Sequence, residues 1–252
     1  QFLNASEARP IRILSEYLEP LARFKRHNIS HTIVFFGSAR VPAPEEFDPN
    51  QHKAAKKIAK AVEYYEKARK LANVLTQWAL DITEDADRPH IITGGGPGIM
   101  EAANRGTSEA GGLPIGMTIT LPNEQHLNMY CDASVSFQFH YFFMRKYWLL
   151  YMTRALVAFP GGIGTFDEVF EVLTLAQTGK IKQFPIILFG RDYWKNVVNF
   201  QEMIDWGFIS PQDTKLFKVV DDVEEAADFI KTTLTPEFLA AAAKRPFTNS
   251  HR

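Results

Sequence analysis

The chain has 252 residues, 46% of them hydrophobic and 23% charged, and its 28 basic against 29 acidic side chains leave a formal net charge of −1. That is enough apolar material for one sizeable α/β core, and the balance of charge excludes a nucleic-acid binder that relies on a general basic field. The single cysteine, Cys131, excludes an intrachain disulfide and points to a reducing, cytoplasmic compartment, while no run approaches the ~18 apolar residues of a membrane span and Gln1 to Pro20 carries no signal-peptide core.

In chain order, an amphipathic helix is predicted over Arg9 to Arg26, then a polar break at His27 to His31. The apolar run Thr32 to Phe36 reads as the first core strand. It leads into Gly37-Ser38-Ala39-Arg40, a glycine turn at a strand end where Ser38 offers a hydroxyl and Arg40 a charge. From about Asn50 to Asp81 the pattern is one long helix or two joined, and its lysines (Lys53, Lys56, Lys57, Lys60, Lys67, Lys70) read as a solvated face rather than a polyanion site. Further strands are predicted at His90 to Thr93, Pro114 to Thr120, Ser134 to Phe139, Ala155 to Phe159, Pro185 to Phe189 and Leu216 to Val220. Helices are predicted after the second glycine loop and at Tyr141 to Thr153, Thr165 to Thr178, Tyr193 to Trp206 and Val223 to Thr233, with a fraying tail from Ala240 to Arg252. Strands alternating with helices imply a doubly wound parallel sheet of about seven strands, Rossmann-like, with helices on both faces. A single domain over 1–252 is expected, with helical extensions at 1–30 and 191–252.

The segment Pro160-Gly-Gly-Ile-Gly-Thr-Phe-Asp-Glu-Val-Phe-Glu171 is the most telling. An apolar strand runs straight into Gly161, Gly162 and Gly164, and Thr165 is expected to open a helix whose positive dipole end favours an anion. Asp167 and Glu168 then fall in the predicted first turn, where the plain alternative is simple dipole pairing. A second loop of the same kind, Thr93-Gly-Gly-Gly-Pro-Gly-Ile-Met-Glu101, follows another strand. No Lys-Ser or Lys-Thr follows its glycines, so the triphosphate and magnesium apparatus of a P-loop is missing, and the spacing is not that of a dinucleotide fingerprint. Two strand-glycine-helix junctions roughly 65 residues apart fit one crevice where loops from separate parallel strands converge on a phosphorylated ligand.

Phe137 to Lys146 (FQFHYFFMRK) crowds aromatic and basic residues just ahead of the strand that feeds the PGG loop. At helical spacing the aromatics are mostly core, and His140 reads as a packing or capping residue with no metal-ligand spacing around it. Arg145 is more suggestive, because a guanidinium keeps its proton and forks onto phosphate or carboxylate.

Taken in order, GSAR, TGGGPGIMEA, FFMRK and PGGIGTFDE resemble the LONELY GUY family of nucleotide 5′-monophosphate phosphoribohydrolases, whose signature is PGGxGTxxE behind an arginine motif. The resemblance covers roughly residues 32 to 190, and many relatives bear a lysine decarboxylase label, for which no lysine here stands in a setting that marks a pyridoxal phosphate Schiff base. It implies hydrolysis of the N-glycosidic bond of a nucleoside 5′-monophosphate such as AMP or N6-modified AMP, an AMP nucleosidase or cytokinin-activating type of reaction. A homodimer or higher homo-oligomer is implied, with no cofactor, metal, nucleic acid or membrane involved. Position by position, Arg145 and Glu168 match the catalytic arginine and glutamate. Gly161, Gly162, Gly164 and Thr165 match the phosphate loop; Ser38, Gly95, Gly96, Gly98, Met144, Lys146 and Glu171 match other substrate-contacting positions. Asp167 and Phe166 depart from the commoner Glu and Leu of the signature. The competing reading is a non-catalytic nucleotide or molybdenum-cofactor carrier of the same fold, which needs the cradle but not both Arg145 and Glu168.

Overall fold

The structure is a computed structural model that describes residues 2–48, 55–82, 88–120 and 127–243. The chain runs α1 (Arg9–Arg26), β1 (His31–Phe36), α2 (Ala55–Ile82), β2 (Pro89–Thr93), α3 (Ile99–Glu109), β3 (Ile115–Ile119), β4 (Phe137–Phe139) and α4 (Phe142–Tyr151). It continues through β5 (Thr153–Ala158), α5 (Ile163–Gln177), β6 (Ile186–Phe189), α6 (Arg191–Val197), α7 (Phe200–Asp205), β7 (Lys218–Val220) and α8 (Val223–Ala243). No described helix is long and apolar enough to cross a membrane.

The seven strands form one parallel sheet in the order β4-β3-β2-β1-β5-β6-β7. From β1 the chain steps outward to β4, then returns to the other side of β1 and steps outward to β7. The switch point therefore lies between the carboxyl ends of β1 and β5, where open α/β sheets bind ligands. Alternation within β1 shows why both faces must be covered: Ile33 and Phe35 enter the core with α2, α3 and α8, whereas Val34 and Phe36 enter the core with α1, α4, α5 and α6.

Several boundaries differ from the sequence expectation for local reasons. Strand β4 is only Phe137–Phe139, because Ser134 turns back and donates from its N and Oγ to Asp132 Oδ1 at 2.8 and 2.6 Å. Thr153 opens β5 rather than closing α4. The expected single helix from Tyr193 to Trp206 is two, since Asn199 caps α7 by accepting from Glu202 N at 3.1 Å. Helix α8 runs past Thr233 and through Pro236 to Ala243, so Ala240 to Ala243, the start of the expected fraying tail, extend the helix. Residues 244–252 lie outside the described residues, as do 50–54 of the predicted lysine-rich helix.

The two terminal extensions are built into the layers. Strand β7 pairs with β6 in the sheet. Helix α1 holds α4: the Glu16 carboxylate accepts from His140 N (2.7 Å) and Tyr141 N (3.2 Å) at the amino end of α4, and Trp148 Nε1 donates to Glu16 O at 2.9 Å.

Candidate active site

Three glycine loops leave the carboxyl edge of the sheet and are stitched together through their backbones. Ser38 N donates to Pro160 O at 3.1 Å, and Ile99 N donates to Ser38 O at 3.1 Å. Gly98, at φ 71°, is needed there twice over, since a Cβ would also lie 2.3 Å from Ser38 O. The Ser38 hydroxyl accepts from Arg40 N at 3.1 Å.

The β2 loop is braced from below. Thr93 Oγ1 accepts from Gly95 N (2.9 Å) and donates to Asn104 Oδ1 (2.7 Å). Asn128 donates from its N to Gly95 O (2.8 Å) and from Nδ2 to both Gly96 O and Asn104 Oδ1 (3.0 Å each). Gly95 and Gly96 are thus buried and occupied with internal bonds.

The β5 loop is open. Helix α5 begins at Ile163, two residues before Thr165, with Gly162 as its N-cap, because the extended backbone of Gly162 already sets up the bond from Phe166 N to its carbonyl at 3.1 Å. The N–H groups of Ile163, Gly164 and Thr165 are therefore the first-turn donors without intrahelical acceptors, and Gly162, Ile163 and Gly164 are exposed. This is the geometry of an anion seat. Behind it Thr165 is buried against Gly161, where a Cβ would fall 2.1 Å from Thr165 Oγ1, and the Tyr193 hydroxyl donates to Gly161 O. The earlier helix start also corrects the expectation for the acids: Asp167 and Glu168 stand in the second turn, and the first turn contains no acidic residue.

Arg145 and Glu168 meet at 3.5 Å (Nη2 to Oε1), each side chain only 12% exposed. Burial pushes the Glu168 carboxyl up to about 7 against the opposing pull of Arg145, and burial likewise lowers the affinity of the Arg145 guanidinium for its proton. Arg145 Nε donates to Met117 O at 2.9 Å, and its Nη2 lies where a Cβ on residue 94 would come within 2.5 Å, so Gly94 makes room for it. Beside them Lys146 Nζ bridges Asp167 Oδ2 (2.9 Å) and Glu171 Oε2 (2.7 Å).

The structure thus brings Arg145, Lys146, Glu168 and Glu171 into one cluster, and gathers Ser38, Gly98, Gly161, Gly162, Gly164 and Thr165 at the switch point. Met144 is packed in the core of the α4–α5 face. Sequence reasoning missed Gly94, Asn104, Asn128 and Tyr193. Gly94 stands in the glycine run without a feature to separate it from its neighbours, and an asparagine directly after Ala102 and Ala103 was the available signal for Asn104. Nothing local marks Tyr193.

The family model described as "Possible lysine decarboxylase" matches residues 100–230. A cytokinin riboside 5′-monophosphate phosphoribohydrolase from Arabidopsis thaliana is 27% identical over 166 residues, 64% of this chain and 71% of that protein. Another from Rhodococcoides fascians is 26% identical over 140 residues, 54% of this chain and 69% of that protein. The structure of a molybdenum cofactor binding protein from the phototrophic bacterium Rippkaea orientalis aligns with 80% of this chain and 96% of its own at 17% identity and a TM-score of 0.48, too distant a likeness to bear on ligand or activity. Since the matched segment spans more than half of the chain and carries the Arg145, Lys146, Glu168 and Glu171 cluster, the chain belongs to the family described as possible lysine decarboxylase, in which the LONELY GUY phosphoribohydrolases fall.

Proposed function

We propose that this protein hydrolyses the N-glycosidic bond of a nucleoside 5′-monophosphate, AMP or an N6-modified AMP of the cytokinin riboside type, to the free base and ribose 5-phosphate. The observation that carries this reading is a mostly buried carboxyl at about 7, 3.5 Å from a buried guanidinium and next to an open helix amino end. The phosphate sits on the free N–H groups of α5, which holds the sugar within reach of Glu168. As the C–N bond breaks, positive charge gathers on the sugar ring, and the Glu168 carboxylate both stabilises it and takes a proton from the water that attacks C1′. A carboxyl titrating near neutrality suits that proton transfer. Arg145, fixed by Met117 O, holds Glu168 in place, and Lys146 neutralises the two flanking acids.

A decarboxylase working through a lysine Schiff base would need an amine that loses its proton readily. Lys146 is the reverse: its hydrogen bonds to Glu171 and Asp167 outweigh its burial and raise its pKa. A carrier, for its part, has no use for a buried acid poised near neutrality.

The protein acts as a homodimer or higher homo-oligomer in the cytoplasm. Exposed Ile11, Leu14, Leu18 and Leu21 on α1, beside Phe143, Tyr147 and Tyr151 on α4, offer the apolar surface such an interface needs, and the lone Cys131 suits a reducing compartment. The test of the activity is incubation with AMP, N6-isopentenyl-AMP and other nucleoside 5′-monophosphates, with chromatography for released base and Glu168→Gln as control. Base release lost in the control is the expected result; tight binding without release by the wild type would overturn the reading in favour of a carrier.

A further inference from the structure

The phosphate loop has a second neighbour. A cavity of about 610 Å³ opens between α2 and α6 and shares Pro160, Gly161 and Gly162 with that loop, while none of Arg145, Lys146 and Glu168 lines it. Its walls include Ser38 and Arg40 from the β1 loop, so it lies at the switch point between β1 and β5. Lys57 and Lys60 project into it from the amino-terminal half of α2, and Tyr64 and Tyr193 supply aromatic walls.

Among the described residues the charge of the lining is lopsided: Arg40, Lys57 and Lys60 stand against one carboxylate, Asp192, which Lys60 meets at 2.8 Å. This separates the α2 lysines into two groups. Lys67 and Lys70 meet Asp221 O and the Glu224 carboxylate further along α2 and behave as a solvated face; Lys57 and Lys60 line the cavity. The volume is also more than one further phosphate fills, taking ~30 Å³ for each water-sized group, and falls within the range of small-ligand pockets. Tyr193 ties this cavity to the phosphate seat, since its hydroxyl holds the Gly161 carbonyl while its ring forms part of the wall.

We propose that the site takes nucleotides extended at the 5′-phosphate through a pyrophosphate, of the ADP-ribose class, as substrates of the same glycosidic hydrolysis. This rests on the hydrolase reading above. The first phosphate sits on the amino end of α5, the second among Arg40, Lys57 and Lys60, and the distal sugar between Tyr64 and Asn196. Water adds its oxygen to C1′ of the adenosine ribose, the C–N bond breaks, adenine leaves with a proton, and the pyrophosphate is untouched.

The test compares kcat/KM for AMP and ADP-ribose in the wild type, in Val197→Trp, which fills the cavity from a half-exposed position, and in the double variant Lys57→Glu/Lys60→Glu. ADP-ribose turnover within about tenfold of AMP is expected, with a loss of about tenfold or more for ADP-ribose in both variants while AMP stays within about twofold. Hydrolysis of AMP with ADP-ribose inert, or ADP-ribose turnover indifferent to both variants, would overturn the proposal and leave the hydrolase reading standing. If neither nucleotide is hydrolysed, the hydrolase reading falls and with it the substrate role. Calorimetry then judges the cavity alone: ADP-ribose binding more tightly than AMP, with the margin lost in Val197→Trp, supports it, and equal affinities refute it.

Discussion

Glu168→Gln should abolish turnover and at the same time stabilise the protein at alkaline pH. The Glu168 carboxyl is raised to about 7 in the fold from an ordinary value of 4.5, with burial the leading cause. Between those values the folded state keeps a proton that the unfolded state has lost, so folding stability falls as pH rises through the window. Glutamine has the shape of the protonated acid and does not titrate. The gap in unfolding free energy between variant and wild type should therefore open in the variant's favour by ~2–3 kcal/mol from about pH 5 to about pH 8, following the two pKa values through the linkage relation. Solvent screening takes little from this figure, because the side chain is only 12% exposed. The attraction of Arg145 is already contained in the shifted value, and the titrating groups that do not interact with Glu168 cancel in the difference. Urea unfolding of both proteins across that range measures it. A gap that stays flat with pH, or opens in the wild type's favour, would show that Glu168 is ionised at ordinary cost and refute its assignment as a poised acid.

Lys146→Met removes a charge that holds the Glu168 carboxyl down, so the acid limb of the kcat/KM profile should move to higher pH; no movement would separate Lys146 from Glu168. Gly161→Ala places a Cβ 2.1 Å from Thr165 Oγ1 and should raise KM for the nucleotide by about tenfold, with a fold loss of ~1–3 kcal/mol visible in urea melts. Asn104→Ala strips partners from Thr93 Oγ1, Asn128 Nδ2 and Ile115 O and should cost ~2–3 kcal/mol of stability in the same assay. Leu18→Glu, on the exposed stripe of α1, should lower the mass measured by light scattering while changing monomer stability by less than ~0.5 kcal/mol.

What was legible in the sequence follows from what is local. The alternation of short apolar runs with helical periods makes the parallel sheet readable, because strands buried on both faces must be continuous in apolar residues, as Ile33 to Phe36 are. The glycines at three strand ends are readable for the same reason: their role is to bend the chain where it stands. Distant partnerships leave no such trace. Glu16 caps a helix more than a hundred residues away, Gly94 yields space to an arginine from α4, and Asn128 reaches back to the glycine loop. In each case the sequence shows one half of a contact whose other half only the fold supplies. The split of α6 from α7 was within reach, since Asn199 is a common N-cap residue, but the apolar period runs across it and masks the break.

The start of α5 shows how much chemistry hangs on a boundary. If the helix opened at Thr165, Glu168 would sit at its first turn and its charge would be favoured by the dipole, which lowers a carboxyl. Opening two residues earlier, at Ile163, places the acid in the second turn, beyond the reach of the dipole, and burial pushes its carboxyl up to about 7. The helical period then sorts the three acids. Asp167 and Glu171 are four residues apart on one face and are clamped together by Lys146, while Glu168 is turned about 100° from Asp167 and meets Arg145. Burial is the main cause of the Glu168 shift; the charges of Asp167 and Glu171 add to it, and those of Arg145 and Lys146 oppose it. Adjacent basic residues on α4 therefore do different work: Lys146 quiets the surroundings, and Arg145 holds a carboxyl that remains free to exchange its proton near neutral pH.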